Sequence, residues 1–198
     1  MDSELLELNT FVLNANALHL TEDEFFDFCI QNRPLNFERS ANKEIILMPP
    51  TGTDTGRTNT FLTTDLEIWN RKMKLGYTFD SSTGFTLPNT AVRNPDASWI
   101  LKERYDALSS EDKKKFAHIC PDFIVELKSE SDSLKYLKNK MNEWIQNGAR
   151  LGFLIVPEQK KVFIYRPGKA IEEKSITKKL SGEQVLPGFE LDLTFLLT

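Results

Sequence analysis

At 198 residues, 40% apolar, 11% aromatic and 27% charged, the chain has the make-up of one well-buried globular domain and not of a disordered segment or two comfortable domains. No apolar run nears the roughly 18 to 20 residues of a membrane span, the acidic N-terminus lacks a secretory signal's basic start, and Cys29 and Cys120 form no metal or disulfide pattern. These exclusions predict a cytoplasmic protein. The net charge of -4 argues against nucleic acid only superficially, because residues 1–30 hold seven acids and no Lys or Arg while the remaining 168 carry a formal +3.

In chain order, Thr21 and Glu24 form a capping-box pattern that opens a predicted helix over 22–31, with Phe25, Phe26, Cys29 and Ile30 as its apolar positions. Extended pieces at 36–39 and 43–48 flank Ser40-Ala41-Asn42 and predict a hairpin. Pro49-Pro50-Thr51-Gly52 ends it. A helix is expected from about Thr58 to Leu75, stopped by Gly76, followed by a meander of short strands at 77–79, 84–87 and 97–101. A polar, lysine-rich helix is expected from Ser109 to about His118. The apolar strand 123–128 comes next, then a helix opened by Ser133 with the stripe Leu134, Leu137, Met141, Trp144 and Ile145, ended by Asn147-Gly148. Strands at 151–156 and 161–166 follow, and the tail from Ala170 to Thr198 is expected to pack as an edge element. The order describes a mixed α/β sheet flanked by helices.

The strand at 122–128 carries the chemistry. Alternation puts Asp122, Ile124, Glu126 and Lys128 on one face and Phe123, Val125 and Leu127 on the other. Glu126 and Lys128 start about 7 Å apart, near enough for a carboxylate-bound cation and an ammonium to address one phosphate, whereas Asp122 is about 13 Å from Glu126. Phosphodiester hydrolysis needs hard oxygen ligands for Mg²⁺ or a similar cation. Glu126 alone is insufficient, and Asp96, ahead of the run 97–101, is the best candidate for a second ligand from an adjacent strand.

Pro95-Asp96 followed thirty residues later by Glu126-x-Lys128 resembles the PD-(D/E)XK pattern of restriction-endonuclease-like enzymes. From Leu20 to about Phe189 the chain also resembles the Uma (Uma-two) family of endonuclease-like proteins. The resemblance rests on Phe37-Glu38 with 44–50, Pro95-Asp96, 121–126 with 129–132, 140–144, Asn147-Gly148-Ala149 and 153–157. It implies a single domain with an N-terminal extension at 1–20, a nuclease-like core with its helix and hairpin at 21–166, and a C-terminal edge segment at 167–198. Asp96 and Glu126 become metal ligands, Lys128 a neighbour of the attacking water or scissile phosphate, and Lys140 a second catalytic lysine on the following helix.

The expected activity is Mg²⁺-dependent hydrolysis of nucleic acid, DNA before RNA, with Mn²⁺ able to substitute. Glu38 and Glu44 are weaker candidate acids, since alternating glutamates on a hairpin commonly face solvent. Asp122 is better explained as a residue at the strand's start that accepts backbone hydrogen bonds. His19 and His118 stand outside these groupings. The alternatives are a non-catalytic nucleic-acid-binding or oligomeric scaffold that keeps the fold, and a hydrolase of other phosphate esters. A homodimer is compatible with the sequence.

Overall fold

The computed structural model describes residues 11–197, so the first ten residues of the expected N-terminal extension lie outside the described part. Helix α1 (Glu22–Gln31) starts as anticipated: the Thr21 hydroxyl accepts the Glu24 N–H and the Glu24 carboxylate accepts the Thr21 N–H. Such a cap contributes about 1 kcal/mol. Strands β1 (Phe11–Leu13), β2 (Asn36–Arg39) and β3 (Ile45–Met48) build the first sheet, with β2 and β3 as the predicted hairpin in the register Asn36↔Met48 to Arg39↔Ile45.

Helix α2 (Thr53–Met73) begins five residues earlier than Thr58, because a polar first turn with no apolar stripe still extends a helix anchored further along by Leu62, Leu66 and Trp69. Its end also differs. Lys74 takes the left-handed cap (φ 55°), and Gly76 instead opens β4 (Gly76–Asp80), where a Cβ would collide with the Ile100 carbonyl and the Trp99 ring.

The expected meander is not formed. β4 pairs with β7 (Ala97–Leu101), whereas β5 (Phe85–Thr86) and β6 (Val92–Arg93) join the first sheet through Arg39↔Val92, giving the order β1-β3-β2-β6-β5. Helix α3 (Lys102–Asp106) follows β7 directly, and the Ser109–His118 segment holds only a 3-10 turn at Asp112–Lys114. That stretch has three lysines and no apolar stripe to hold a longer helix on the core.

The second sheet has six strands in the order β11-β10-β9-β8-β7-β4, formed by β8 (Phe123–Leu127), β9 (Leu151–Val156), β10 (Lys161–Tyr165) and β11 (Glu172–Ser175) with β7 and β4. Only β8 and β9 run parallel, and α4 (Leu134–Gln146) makes the crossover between them. A central strand covered on both faces explains the near-continuous apolar run of β8. Phe123, Val125 and Leu127 pack with Leu62, Leu66 and Trp69 of α2, while Ile124 packs with Leu137, Met141 and Trp144 of α4. The alternation read from the sequence therefore holds.

β11 lies at the sheet edge, as expected of the tail. The rest of the tail does more: it forms the small hairpin β12 (Leu180–Ser181) and β13 (Glu190–Leu191) and buries Leu186, Phe189 and Leu193 in the α2-side core.

Candidate active site

β7 and β8 run antiparallel with Ala97 opposite Val125, so Asp96, one residue before β7, lies across from Glu126. The Asp96 N–H donates to the Val125 carbonyl (3.0 Å), and its Oδ2 accepts the Leu127 N–H (2.7 Å), pinning the acid to the end of β8. Asn59 of α2 donates to Asp96 Oδ1 at 2.7 Å. Opposed cross-strand residues bring their Cβ atoms within about 5.5 Å. Both carboxylates line a cleft of about 940 Å³ walled by the Pro49–Gly52 loop, the start of α2 and the Ser129–Asp132 turn.

Helix α4 supplies the cation. Leu137, Lys140, Met141 and Trp144 follow the i, i+3, i+4, i+7 spacing of one helical face, so Lys140 points inward with the apolar stripe and is only 5% exposed. Its Nζ lies 3.0 Å from Glu126 Oε1 and 2.8 Å from Glu38 Oε1, and donates to the Asn94 carbonyl at 3.0 Å. Trp144 adds an indole N–H to Glu126 Oε1 at 2.8 Å. Glu38 in turn accepts Arg93 Nη1 (3.0 Å) and the Asn94 N–H (3.0 Å), and Arg93 Nε reaches Glu143 at 2.6 Å.

The electrostatics follow from burial. Lys140 and Arg93 face Glu38, Asp96, Glu126 and Glu143, so negative charge exceeds positive when all are ionised. Burial pushes the Glu126 carboxyl up to about 8, with Lys140 opposing and Asp96 and Glu38 adding to the rise. Burial also holds Asp96 above the ordinary carboxylate value, against the Leu127 N–H. Burial acts on Glu38 in the same direction, but Lys140 and Arg93 outweigh it and leave Glu38 below its usual value. Burial disfavours the Lys140 ammonium, yet Glu126 and Glu38 keep it above the usual range.

The structure brings together three of the four residues expected to carry catalysis, Asp96, Glu126 and Lys140, and turns the fourth elsewhere. β8 ends at Leu127, and the Lys128 ammonium binds Glu158 (2.9 Å) and the Ser129 carbonyl (2.9 Å); Ser129 lines the cleft, whereas Lys128 and Glu158 do not.

Glu38 corrects the expectation of a solvent-facing hairpin acid: it is fully buried, because β2 is covered on its Glu38 face by Arg93 and Lys140. Glu44 is also buried, but its carboxylate bonds Ser40 within the hairpin turn (3.1 Å) and takes no part in the cleft. Asp122 behaves as anticipated, accepting the Leu101 N–H (2.9 Å) and pairing with Arg104 (2.8 Å).

Asn59, Asn94 and Arg93 were not singled out from the sequence. Asn59 left a trace there, sharing the inner face of α2 with Leu62 and Leu66 at i+3 and i+7.

A hard divalent cation fits this donor set. Among the described residues, the side-chain oxygens of Asn59 and Asn94 are buried without hydrogen-bond partners, and both residues line the cleft beside Asp96 and Glu126. Among the described residues, no three His, Cys, Asp or Glu side chains converge as a metal site of their own, so a cation bound here would draw on neutral amide oxygens or water for the rest of its shell.

Comparison with known proteins agrees with this architecture. The sequence profile of Uma2, described as "Putative restriction endonuclease", matches residues 22–194. The chain belongs to the Uma2 family. A crystal structure from Anabaena variabilis ATCC 29413, described as "a putative nuclease belonging to DUF820", is similar to it with a TM-score of 0.72 and 19% identity over 89% of this chain and 97% of that one. No curated protein matches the chain. The Uma2 fold is thus a restriction-endonuclease-like mixed α/β arrangement, and among the described residues no helix is long and apolar enough to cross a membrane.

Proposed function

We propose that this Uma2 protein is a divalent-cation-dependent nuclease that hydrolyses phosphodiester bonds of DNA. The observation that carries this is the cross-strand pair Asp96 and Glu126, opening into a large polar cleft with the buried Lys140 ammonium on Glu126. The family description supports a nuclease.

Asp96 and Glu126, with the amide oxygens of Asn59 and Asn94, would hold Mg²⁺ or Mn²⁺. When bound, the cation polarises the phosphate and lowers the pKa of an attacking water. Lys140 is a positioning residue. It holds Glu126 in place and favours its ionised form, while Glu38 and Arg93 hold Lys140 in turn. The Trp144 N–H fixes the second contact to Glu126, so the carboxylate reaches the cleft in one orientation. The first turn of α2 lines the same cleft with no side-chain cap, and its backbone N–H groups, which have no intrahelical acceptor, are suited to a phosphate of the strand. Lys128 has no part in this scheme, since its ammonium is committed to Glu158.

The test is cleavage of single-stranded, duplex and branched DNA and of RNA in Mg²⁺ or Mn²⁺, with cation binding followed by calorimetry. Asp96→Asn and Glu126→Gln are expected to abolish both cleavage and cation binding, and Lys128→Ala to retain them. Nucleic-acid binding without cleavage by the wild type would favour the scaffold alternative, and cleavage unchanged in Glu126→Gln would sink the catalytic assignment.

A further inference from the structure

We infer that the back of the five-stranded sheet carries a second binding site, for a small organic phosphate, independent of the nuclease cleft. Alternation along the β2–β3 hairpin separates the two: Asn36, Ile46 and Met48 line the cleft, whereas Arg39 and its cross-strand partner Ile45 line a separate cavity of about 400 Å³. That volume lies within the range of about 300–1,000 Å³ typical of small-molecule pockets.

Arg39 and Lys43 both line this cavity, with His19 at its edge and Ala15, Leu20 and Ile45 as apolar walls. Arg39 is 1% exposed and its guanidinium lies over the Phe25 ring at 4.8 Å, yet its N–H groups are poorly satisfied. Nη1 reaches the Leu20 and Thr21 carbonyls and Nη2 the Thr90 carbonyl, each at 3.4 Å, while Nε is buried with no partner among the described residues. Lys43 donates to the Thr90 hydroxyl at 2.7 Å.

Among the described residues, no carboxylate forms an ion pair with buried Arg39 or half-buried Lys43, although a buried charge such as Arg39 is ordinarily paired. Burial depresses Arg39 below its ordinary value, and burial together with the Arg39 charge does the same to Lys43; the charge of Glu22 opposes both shifts without overcoming either, so an anion in the cavity would relieve both.

The chemistry selects the ligand class. Two converging cations match a phosphate monoester dianion, a guanidinium with a free Nε–H can donate to its oxygens, and the apolar walls accept an organic body. His19, Lys43 and Thr90 all hold left-handed backbone (φ 46°, 65° and 69°), a costly conformation that surrounding structure must fix.

The probes are adenosine monophosphate, glycerol 3-phosphate, inorganic phosphate and succinate, titrated calorimetrically into the full chain with EDTA present. The organic phosphates are expected to bind one per chain, with affinity falling as salt rises. Lys43→Asn, which tolerates left-handed backbone, should weaken them about tenfold or more while leaving nuclease activity unchanged. Arg39→Lys, checked for folding by circular dichroism, should weaken them further.

Absence of binding at millimolar concentration would overturn the proposal, as would wild-type affinity in Lys43→Asn. Equal or tighter binding of succinate would overturn the phosphate assignment, and loss of binding in Glu126→Gln would place the ligand in the nuclease cleft instead. Replacing Asp2, Glu4 and Glu7 by their amides should leave the titration unchanged; a gain in affinity would make one of these acids the cavity's own anion and defeat the inference.

Discussion

Lys140 is the residue on which the candidate site turns, because one ammonium compensates two buried glutamates, Glu126 and Glu38. Lys140→Met keeps the side-chain volume but removes a cation from the ionised Glu38 and a donor from Glu126, and should cost about 3–5 kcal/mol in denaturant-derived stability. Lys128→Ala removes an ion pair whose acid, Glu158, is nearly half exposed, and should cost at most about 1 kcal/mol. Equal losses in the two unfolding curves would contradict the assigned burial. Glu126 adds a pH signature. With its carboxyl pushed up to about 8, it holds a proton at neutral pH that a cation must displace. Cation affinity is therefore expected to rise as pH increases from 6.5 to 8.5, with a proton released on binding that calorimetry in buffers of different ionisation enthalpy will detect. Glu126→Gln should release none.

At the scale of elements, β4 and β7 are packed so closely that Gly76 has no room for a methyl group. Gly76→Ala should destabilise by about 1–3 kcal/mol, read from the urea midpoint. A surface clamp ties α1 to the Asp112 turn: His118 Nδ1 lies 2.8 Å from Asp112 and Nε2 2.6 Å from Glu22. The Asp112 and Glu22 contacts raise the histidine's pKa above its unfolded value. Its stabilisation is thus complete below about pH 6.5 and lost as pH rises through the folded pKa. Because the ring is more than half exposed, the difference between wild type and His118→Gln should be no more than about 1 kcal/mol at pH 6 and vanish by pH 9. Elements were read well from the sequence where the pattern was local: the α1 capping box, the hairpin, and the faces of β8 and α4. The ion pair of Lys128 with Glu158 was not legible, because period-two alternation cannot tell where a strand stops, and β8 stops one residue short of Lys128. The strands between β4 and β7 were misread as a meander because two-residue pairings such as β5–β6 carry almost no sequence signal.

Across the whole molecule, the α2-side core depends on the last quarter of the chain. Ile176, Leu180, Leu186, Phe189, Leu191 and Leu193 are buried there, and Trp69 donates to the Pro187 carbonyl at 3.0 Å. At roughly 1.5–3 kcal/mol per buried side chain, their removal rivals the whole stability of a domain, about 5–15 kcal/mol. A chain truncated after Ser175 is expected to lack a cooperative thermal transition; a sharp one would show that the tail is dispensable. Of the candidate site, Asp96 and Glu126 were legible from strand placement and the family pattern, and Lys140 from its place on the helical wheel. Glu38 was legible only as a weaker candidate, since its burial depends on Arg93, 55 residues away, and on α4 beyond that.

This long-range dependence sets a rule for recombination. Glu38 sits on β2 in one sheet and Lys140 on the helix packed over the other, so the hairpin is not an exchangeable cassette. A chimera that imports a foreign hairpin must import an acid at position 38 with it, or compensate Lys140 by another route. Libraries that shuffle this hairpin should therefore return soluble members enriched in Glu or Asp at that single buried position.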